Sequence, residues 1–198
     1  MKKYIFKALF LCLLSLSFFA CEKAPQTPKP STYLRVNVDK PQYVVFNDNS
    51  LPFTFQYPNY GKITYLDSKE NYMKWFNIVF DKYKFVANVS FLTLKGDTAL
   101  KHSINDCYTF LKKHEKLSYG IVQQDYKNFD KHVYGTTFEI KGKDVVSPYQ
   151  FYLTDSNRYF IRVALNYTQI PNNDSIAPIV NQLKIDLKNM INTFAWKK

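Results

Sequence analysis

Hydrophobic and polar residues alternate with a period of two along much of the chain after residue 32. Such alternation is typical of strands that bury one face. It predicts strands at 33–38 and 51–58. Segments 75–80 and 85–94 are rich in β-branched and aromatic residues and predict a paired hairpin, and further strands are expected at 62–66, 121–129, 132–141, 147–154 and 159–167. Segment 51–58 contains Pro52 and Pro58, which lack a backbone donor, so an edge position is expected for this strand. The pattern indicates a domain built around a large sheet.

Two other segments have the 3.6-residue period of a helix. The first begins near Asp97 and Thr98, the predicted N-cap residues, and its apolar face consists of Leu100, Ile104, Cys107 and Leu111. The second follows a polar cap at 171–175, and its apolar stripe consists of Ile176, Ile179, Val180, Leu183, Leu187, Met190, Ile191 and Phe194. Each helix therefore has one side suited to packing on the sheet.

The elements follow the order strands, helix, strands, helix, and most connections suit hairpins, such as the turn at 155–158. That order predicts an α+β fold, in which two main helices pack on a largely antiparallel sheet in a single domain. The aromatic content of 18% favours a packed core and excludes a disordered or fibrous chain.

The amino terminus has the pattern of a bacterial lipoprotein signal peptide. A basic segment precedes an apolar run at 8–19, which is too short to span a bilayer. Ala20 places a small residue directly before Cys21, as a lipoprotein signal peptidase requires, although Phe18 stands where leucine is usual. We predict removal of residues 1–20 and lipidation of Cys21. The alternative is an ordinary cleaved signal peptide.

Prolines are concentrated in the segment after the predicted lipid attachment. Pro25, Pro28 and Pro30 lie among polar residues and favour an extended, polyproline-like backbone. At about 3 Å per residue, the segment could reach roughly 30 Å. We predict that residues 21–32 form a lipidated tether and that residues 33–198 form the single folded domain.

The charge of the chain is strongly positive. The formal net charge of +11 falls to +8 without the three lysines of the signal peptide, Lys2, Lys3 and Lys7. Arginine, the usual residue for bidentate contacts with phosphates and bases, occurs only three times. A lysine-rich surface in an extracytoplasmic protein suits anionic lipid or acidic partners. Nucleic acid is not expected as a partner.

The cysteines do not predict a disulfide. Cys12 is lost with the signal peptide and Cys21 carries lipid, so Cys107 has no intramolecular partner. Its position on the apolar face of the first helix predicts a buried thiol.

Patterns for metal binding or catalysis are absent from the sequence. His102 and His114 lie twelve residues apart on the first predicted helix, too far to share an ion, and no cysteine or histidine pair has zinc-site spacing. There is no G-x-S-x-G motif. Asp155 and Asp174 each precede a serine in a turn, where bonds to backbone amides account for them. We therefore predict no catalytic, cofactor-binding or metal-binding residues.

Two short motifs indicate candidate modification sites. Asp97-Thr98-Ala99 and Asp174-Ser175-Ile176 resemble the O-glycosylation sequon of Bacteroidetes, which makes Thr98 and Ser175 candidate acceptors. Aspartate with serine or threonine is also common where a helix begins, so the motifs have a purely structural alternative.

A longer series of segments resembles one protein family in the same order along the chain. The segments are 28–30, 33–34, 52–57, 75–78, 150–156, 160–162, 164–167, 171–175 and 196–197, of which QFYLTDS at 150–156 is the most specific. They resemble the gliding motility lipoprotein D (GldD) family of Bacteroidetes. The family often has an acidic residue where this chain has Gln56, so no role is assigned to that position.

The resemblance implies an outer-membrane lipoprotein that is needed for gliding and for the linked type IX secretion machinery, whose protein components would be its partners. It implies no catalytic residues. The element order is also similar to that of Mog1/PsbP-like α/β/α sandwiches. Glu22 and Lys23 do not form an acidic surface-export cluster, which favours the periplasmic face. Two alternatives remain: a lipoprotein that binds a glycan or lipid in an aromatic-rich pocket, and a hydrolase.

Overall fold

Two antiparallel sheets and two α-helices make up the part of the chain that the computed structural model describes, residues 38–67, 70, 72–170 and 172–197. The strands are β1 (Tyr43–Asn47), β2 (Phe53–Pro58), β3 (Lys62–Leu66), β4 (Met73–Phe80), β5 (Phe85–Thr93), β6 (Gly120–Asn128), β7 (Val133–Lys141), β8 (Tyr149–Thr154), β9 (Tyr159–Tyr167) and β10 (Ala195–Trp196). The helices are α1 (Asp97–Lys112) and α2 (Ala177–Thr193).

The larger sheet has seven strands in the order β3-β4-β5-β9-β8-β7-β6. All neighbouring pairs in it are antiparallel. The predicted pairing of 75–80 with 85–94 is confirmed, because Phe80 pairs with Phe85 at the start of the β4–β5 hairpin. The α+β class is confirmed as well.

Strand β8 lies where both faces of this sheet are covered, and all six of its residues are buried. Tyr149, Phe151 and Leu153 belong to the core on the face that α2 covers. Tyr152 belongs to a second core on the opposite face, beneath α1. The large sheet is therefore the middle layer of three.

Helix α1 packs on the sheet through the face that the sequence predicts. Cys107 and Leu111 are buried in the second core, and the other two predicted positions pack against it. At the carboxyl-terminal end of the helix, the Arg162 guanidinium lies 4.7 Å from the centre of the Phe110 ring. Arg162 also donates a hydrogen bond of 2.8 Å to Gln150 Oε1. These contacts fix the last turn of α1 against β8 and β9.

Helix α2 buries the predicted apolar stripe in the first core. A salt bridge of 2.8 Å between Lys184 and Glu139 joins the helix to β7. One charged residue, Asp186, lies among the apolar positions and is only 1% exposed. The sequence pattern did not single out this residue.

The smaller sheet has the order β1-β2-β10, so β2 is its central strand. The predicted edge position is therefore wrong. Pro52 precedes the strand, and its carbonyl accepts a bond from the Lys197 amide; Pro58 is the last residue of the strand. Neither proline removes a donor from the middle of the ladder, so both edges remain available for pairing. Phe53 and Phe55 bury their rings between this sheet and the large one.

Both predicted helix caps are wrong. The N-cap residues are Gly96 and Ile176, and neither makes a side-chain capping bond. Gly96 has a φ of 79°, a conformation that favours glycine. The Asn173 amide in the second predicted cap donates instead to the Gly142 and Val145 carbonyls, both at 2.8 Å. These two bonds connect the segment before α2 to the β7–β8 loop.

Two smaller differences concern the helix and strand boundaries. His114 lies beyond α1, so the two histidines predicted for one helix are not both within it. Of the strand predicted at 33–38, residues 33–37 lie outside the described part, and Val38 is not in a strand. The first described strand is β1, which the pattern did not predict.

The antiparallel order places the strand ends in two groups. The proximal end of the domain contains the β4–β5 and β7–β8 connections, the end of β9 and the start of β6. The distal end contains the β6–β7 and β8–β9 turns. The backbone amide of Asp39, near the start of the described chain, donates to the Tyr83 hydroxyl at the proximal end.

Candidate functional site

An open cleft of about 650 Å³ lies at the distal end of the domain. We call it the Trp196 cleft; it is formed by the β6–β7 turn, the β8–β9 turn and the carboxyl-terminal strand. Its lining residues are Asp130, Lys131, His132, Asp155, Asn157, Arg158, Ala195, Trp196 and Lys197. This volume lies within the usual range for small-molecule sites.

The Trp196 indole is held in place by aromatic neighbours and one hydrogen bond. Its ring centroid lies 4.7 Å from that of Phe194 and 5.4 Å from that of Tyr159. Its Nε1 donates a bond of 3.1 Å to the His132 carbonyl. The Arg158 guanidinium lies 5.1 Å from the Tyr159 ring centre. The wall therefore combines a fixed aromatic surface with a nearby cation.

Several charged groups of the cleft already bind the backbone. Asp155 Oδ1 accepts bonds from the amides of Asn157, Arg158 and Tyr159 at 2.8–3.0 Å. The Lys131 ammonium donates to the Asn192 carbonyl at 3.1 Å. The predicted turn role of Asp155 is thus confirmed. The cleft offers an aromatic surface with Arg158 and the exposed His132 imidazole beside it.

The two turns that border the cleft contain non-glycine residues in the left-handed region. His132 has a φ of 51° and Ser156 a φ of 65°. This conformation costs free energy, so surrounding contacts must hold it. The contact from Trp196 to the His132 carbonyl is one of them. Sequence reasoning missed His132 as a cleft residue, because the relevant neighbour lies in another segment of the chain.

A second polar cluster lies in the interior around Asp186. Its carboxylate accepts hydrogen bonds from Tyr43 at 2.8 Å, from Gln182 at 3.0 Å and from Tyr60. Burial and the bond to Asp186 raise the pKa of Tyr43 to about 12, and the same two causes raise the pKa of Tyr60. Because Tyr43 lies in β1 and Tyr60 in the β2–β3 turn, their bonds to Asp186 join α2 to both.

The two candidate glycosylation residues lie apart from both clusters. Cys21 lies outside the described residues. Thr98 is exposed in the first turn of α1, and Ser175 is half-buried in the turn before α2. Their modification stays a prediction, and mass spectrometry of the native protein that finds both residues unmodified would contradict it.

Cys107 is buried as predicted, and burial raises the pKa of its thiol to about 12. Burial and the positive charge of Arg162 lower the pKa of His114. In the part of the chain that the structure covers, no three histidine, cysteine or acidic residues are grouped closely enough to hold a metal ion. No helix within that same part has the length and apolar character needed to cross a membrane.

No curated protein matches the chain. Among solved structures, the chain is similar to the solution structure of cyanobacterial PsbP (CyanoP) from Synechocystis sp. PCC 6803, with 11% sequence identity and a TM-score of 0.46 over 87% of this chain and 99% of that one. A family model described as gliding motility lipoprotein GldD matches residues 23–196. This match spans most of the chain, which therefore belongs to the GldD family of gliding motility lipoproteins.

Proposed function

We propose that this chain is a non-enzymatic outer-membrane lipoprotein that supports the assembly or function of the gliding machinery and the linked type IX secretion system. The observation that carries the proposal is membership of the GldD family over residues 23–196. Cys21, placed directly after the apolar leader segment, supports the lipid anchor. The structural roles of Asp155 and Cys107 support a domain that acts by contact and not by chemistry.

The anchor would act through the number of its acyl chains. Each buried CH₂ contributes about 0.8 kcal/mol, so one chain gives reversible binding and two or three give stable attachment. Lipid on Cys21 would keep the domain at the membrane, and the proline-rich segment after it would set a reach of roughly 30 Å. The domain would then contact the machinery within a limited distance from the membrane surface, which the length of this segment sets.

The test is complementation of a clean deletion strain. We expect the deletion to abolish spreading and type IX secretion, and the wild-type gene to restore both. Cys21→Ala should fail to restore them and should incorporate no labelled fatty acid, because no acyl chain is attached. Cys12→Ala is the matched control, since this cysteine is removed with the signal peptide. A deletion strain that spreads and secretes normally would overturn the proposal.

The proposed location is the periplasmic leaflet of the outer membrane. The residues after Cys21, Glu22 and Lys23, support it because they do not form an acidic export cluster. Protease treatment of intact cells should leave the protein whole and should degrade it after the outer membrane is permeabilised. Rapid loss from intact cells would place the protein on the outside.

The second candidate function is binding of a glycan or lipid by an aromatic-rich site, and the Trp196 cleft favours it. A fixed indole can stack on an apolar ligand face, and Arg158 can donate hydrogen bonds beside it. Titration with glycan fragments should then change the tryptophan emission of the wild type but not of Arg158→Ala. Full complementation by Arg158→Ala would favour the scaffold function over this one.

A further inference from the structure

The two ends of the large sheet differ in charge. Exposed lysines in the loops and at the element ends of the proximal end are Lys40, Lys62, Lys82, Lys84, Lys112, Lys113, Lys116, Lys141 and Lys143. Acidic residues at the same end are Asp39, Asp81, Glu115, Asp144 and Asp174. The described residues of the distal end are balanced: Lys74, Lys95, Lys127, Lys131, Arg158 and Lys197 against Asp48, Asp67, Glu70, Asp97, Asp130 and Asp155. The proximal end therefore has four more lysines than acids.

Large apolar side chains are exposed among these lysines. Ile170 is 92% exposed and Tyr119 is 79% exposed, with Leu117 and Val146 also at the surface. Backbone bonds place two of them at the same end of the domain: the Tyr119 amide donates to the Lys141 carbonyl and the Tyr167 amide to the Val146 carbonyl, both at 2.9 Å. Ile170 follows the end of β9 by three residues. Apolar side chains surrounded by long lysines suit an interface between an apolar phase and water, because the lysine stems pack while the ammonium groups stay hydrated.

The described chain also begins at this end. The Asp39 amide bonds to the Tyr83 hydroxyl, and the Asp39 carboxylate pairs with Lys82 beside it. Val38 packs against the first core nearby. The tether predicted at 21–32 precedes Val38 by a few residues in the sequence, so the predicted lipid anchor is connected to the domain through its proximal end.

We infer that the proximal end docks on a surface of anionic phospholipids. The lysines contact the headgroups, and Ile170 and Tyr119 enter the headgroup layer. This inference rests on the proposed lipid anchor, because one lipid anchor and a basic patch act together as two signals for stable and oriented attachment. Each lysine lost from the surface should shift the equilibrium between docked and free domain about five-fold, and salt should weaken docking.

This arrangement has a consequence for the rest of the molecule. Docking through the proximal end turns the distal end toward the aqueous phase, since the two ends are opposite ends of the same strands. The Trp196 cleft would then face away from the bilayer. Both native tryptophans lie at the distal end, Trp75 near the start of β4 and Trp196 in the cleft. They therefore serve as internal reporters of orientation.

The experiment uses the full lipidated chain, reconstituted into vesicles that contain brominated phospholipids, which quench nearby indoles. On vesicles with brominated phosphatidylglycerol, we expect wild-type emission to be unquenched and the emission of Ile170→Trp to be quenched. Phe129→Trp is the matched control, because Phe129 is 71% exposed at the distal end. On vesicles with brominated phosphatidylcholine, the quenching of Ile170→Trp should be lost.

The charge requirement has its own matched pair of variants in the Ile170→Trp background. Lys141→Gln with Lys143→Gln should reduce the quenching, whereas Lys74→Gln with Lys95→Gln should leave it unchanged. Three results would overturn the docking. The first is vesicle-bound Ile170→Trp whose emission is not quenched, and the second is quenching of Phe129→Trp as strong as that of Ile170→Trp. The third is quenching of Ile170→Trp that is as strong on neutral phosphatidylcholine vesicles as on phosphatidylglycerol vesicles. A chain that stays in solution would overturn the lipid anchor as well, which separates the two failures.

Discussion

The buried carboxylate of Asp186 provides the sharpest test of how α2 is held. Asp186→Ala removes the acceptor of bonds from Tyr43, Tyr60 and Gln182. Hydrogen bonds to a charged group each contribute about 1.5–3 kcal/mol. Alanine also relieves the cost of burying a charge, and the half-buried hydroxyls of Tyr43 and Tyr60 recover bonds to water. We expect the free energy of unfolding to fall by about 3 kcal/mol.

Urea unfolding followed by circular dichroism measures this change. A loss of that size lowers the melting temperature by about 6–12 °C in a domain of this length. Asn189→Ala is the control on the same helix: the Asn189 amide nitrogen is buried without a partner among the described residues, so its loss should change the free energy of unfolding by less than about 1 kcal/mol. Tyr43→Phe should cost much less in the Asp186→Ala background than in the wild type. Equal effects of Asp186→Ala and Asn189→Ala would refute the reasoning.

Two further predictions use the same unfolding assay. A Cβ at Gly135 would lie 2.0 Å from the Tyr152 carbonyl oxygen, whereas one at Gly120 would meet open space. Gly135→Ala should therefore lower the free energy of unfolding by about 2–3 kcal/mol or prevent folding, and an unchanged stability would contradict the close pairing of β7 with β8. Gly120→Ala should change the free energy of unfolding by no more than about 0.5 kcal/mol. Burial raises the pKa of Tyr43 and of Tyr149 to about 12, against about 10 in the unfolded chain. Because the neutral hydroxyls are favoured in the folded state, their contribution to the free energy of unfolding is complete below about pH 10 and is lost between about pH 10 and 12. The urea midpoint should therefore fall over this pH range, and it should fall less steeply in Tyr43→Phe. A constant midpoint over this pH range would contradict the prediction.

Period and turn chemistry predicted most of the large sheet. The apolar strand-forming residues within 159–167 and the Asp155 turn fix β8 and β9 locally, because the pattern and the hydrogen bonds lie within one segment. The apolar face of α1 was predicted for the same reason, with Cys107 inside. Residues that are close together in the sequence determine these features, so they can be predicted from one sequence alone.

The errors concern features that depend on distant parts of the chain. Strand β2 is central only because β10 pairs with it from the far end of the sequence. The position of Asp186 in an apolar stripe makes sense only once Tyr43 and Tyr60 are known to reach it. The same holds for the Trp196 cleft, whose three segments are adjacent only in the folded domain.

The pairing of β10 with β2 has a consequence for the order in which the domain can fold. Thr54 is paired with Ala195, and the Lys197 amide bonds to the Pro52 carbonyl. These contacts join segments far apart in sequence, and such contacts slow folding because a long loop must close first. The small sheet therefore cannot be completed while residues 195–197 are still in the ribosome. Until those residues emerge, β2 lacks a partner strand on the edge that β10 occupies.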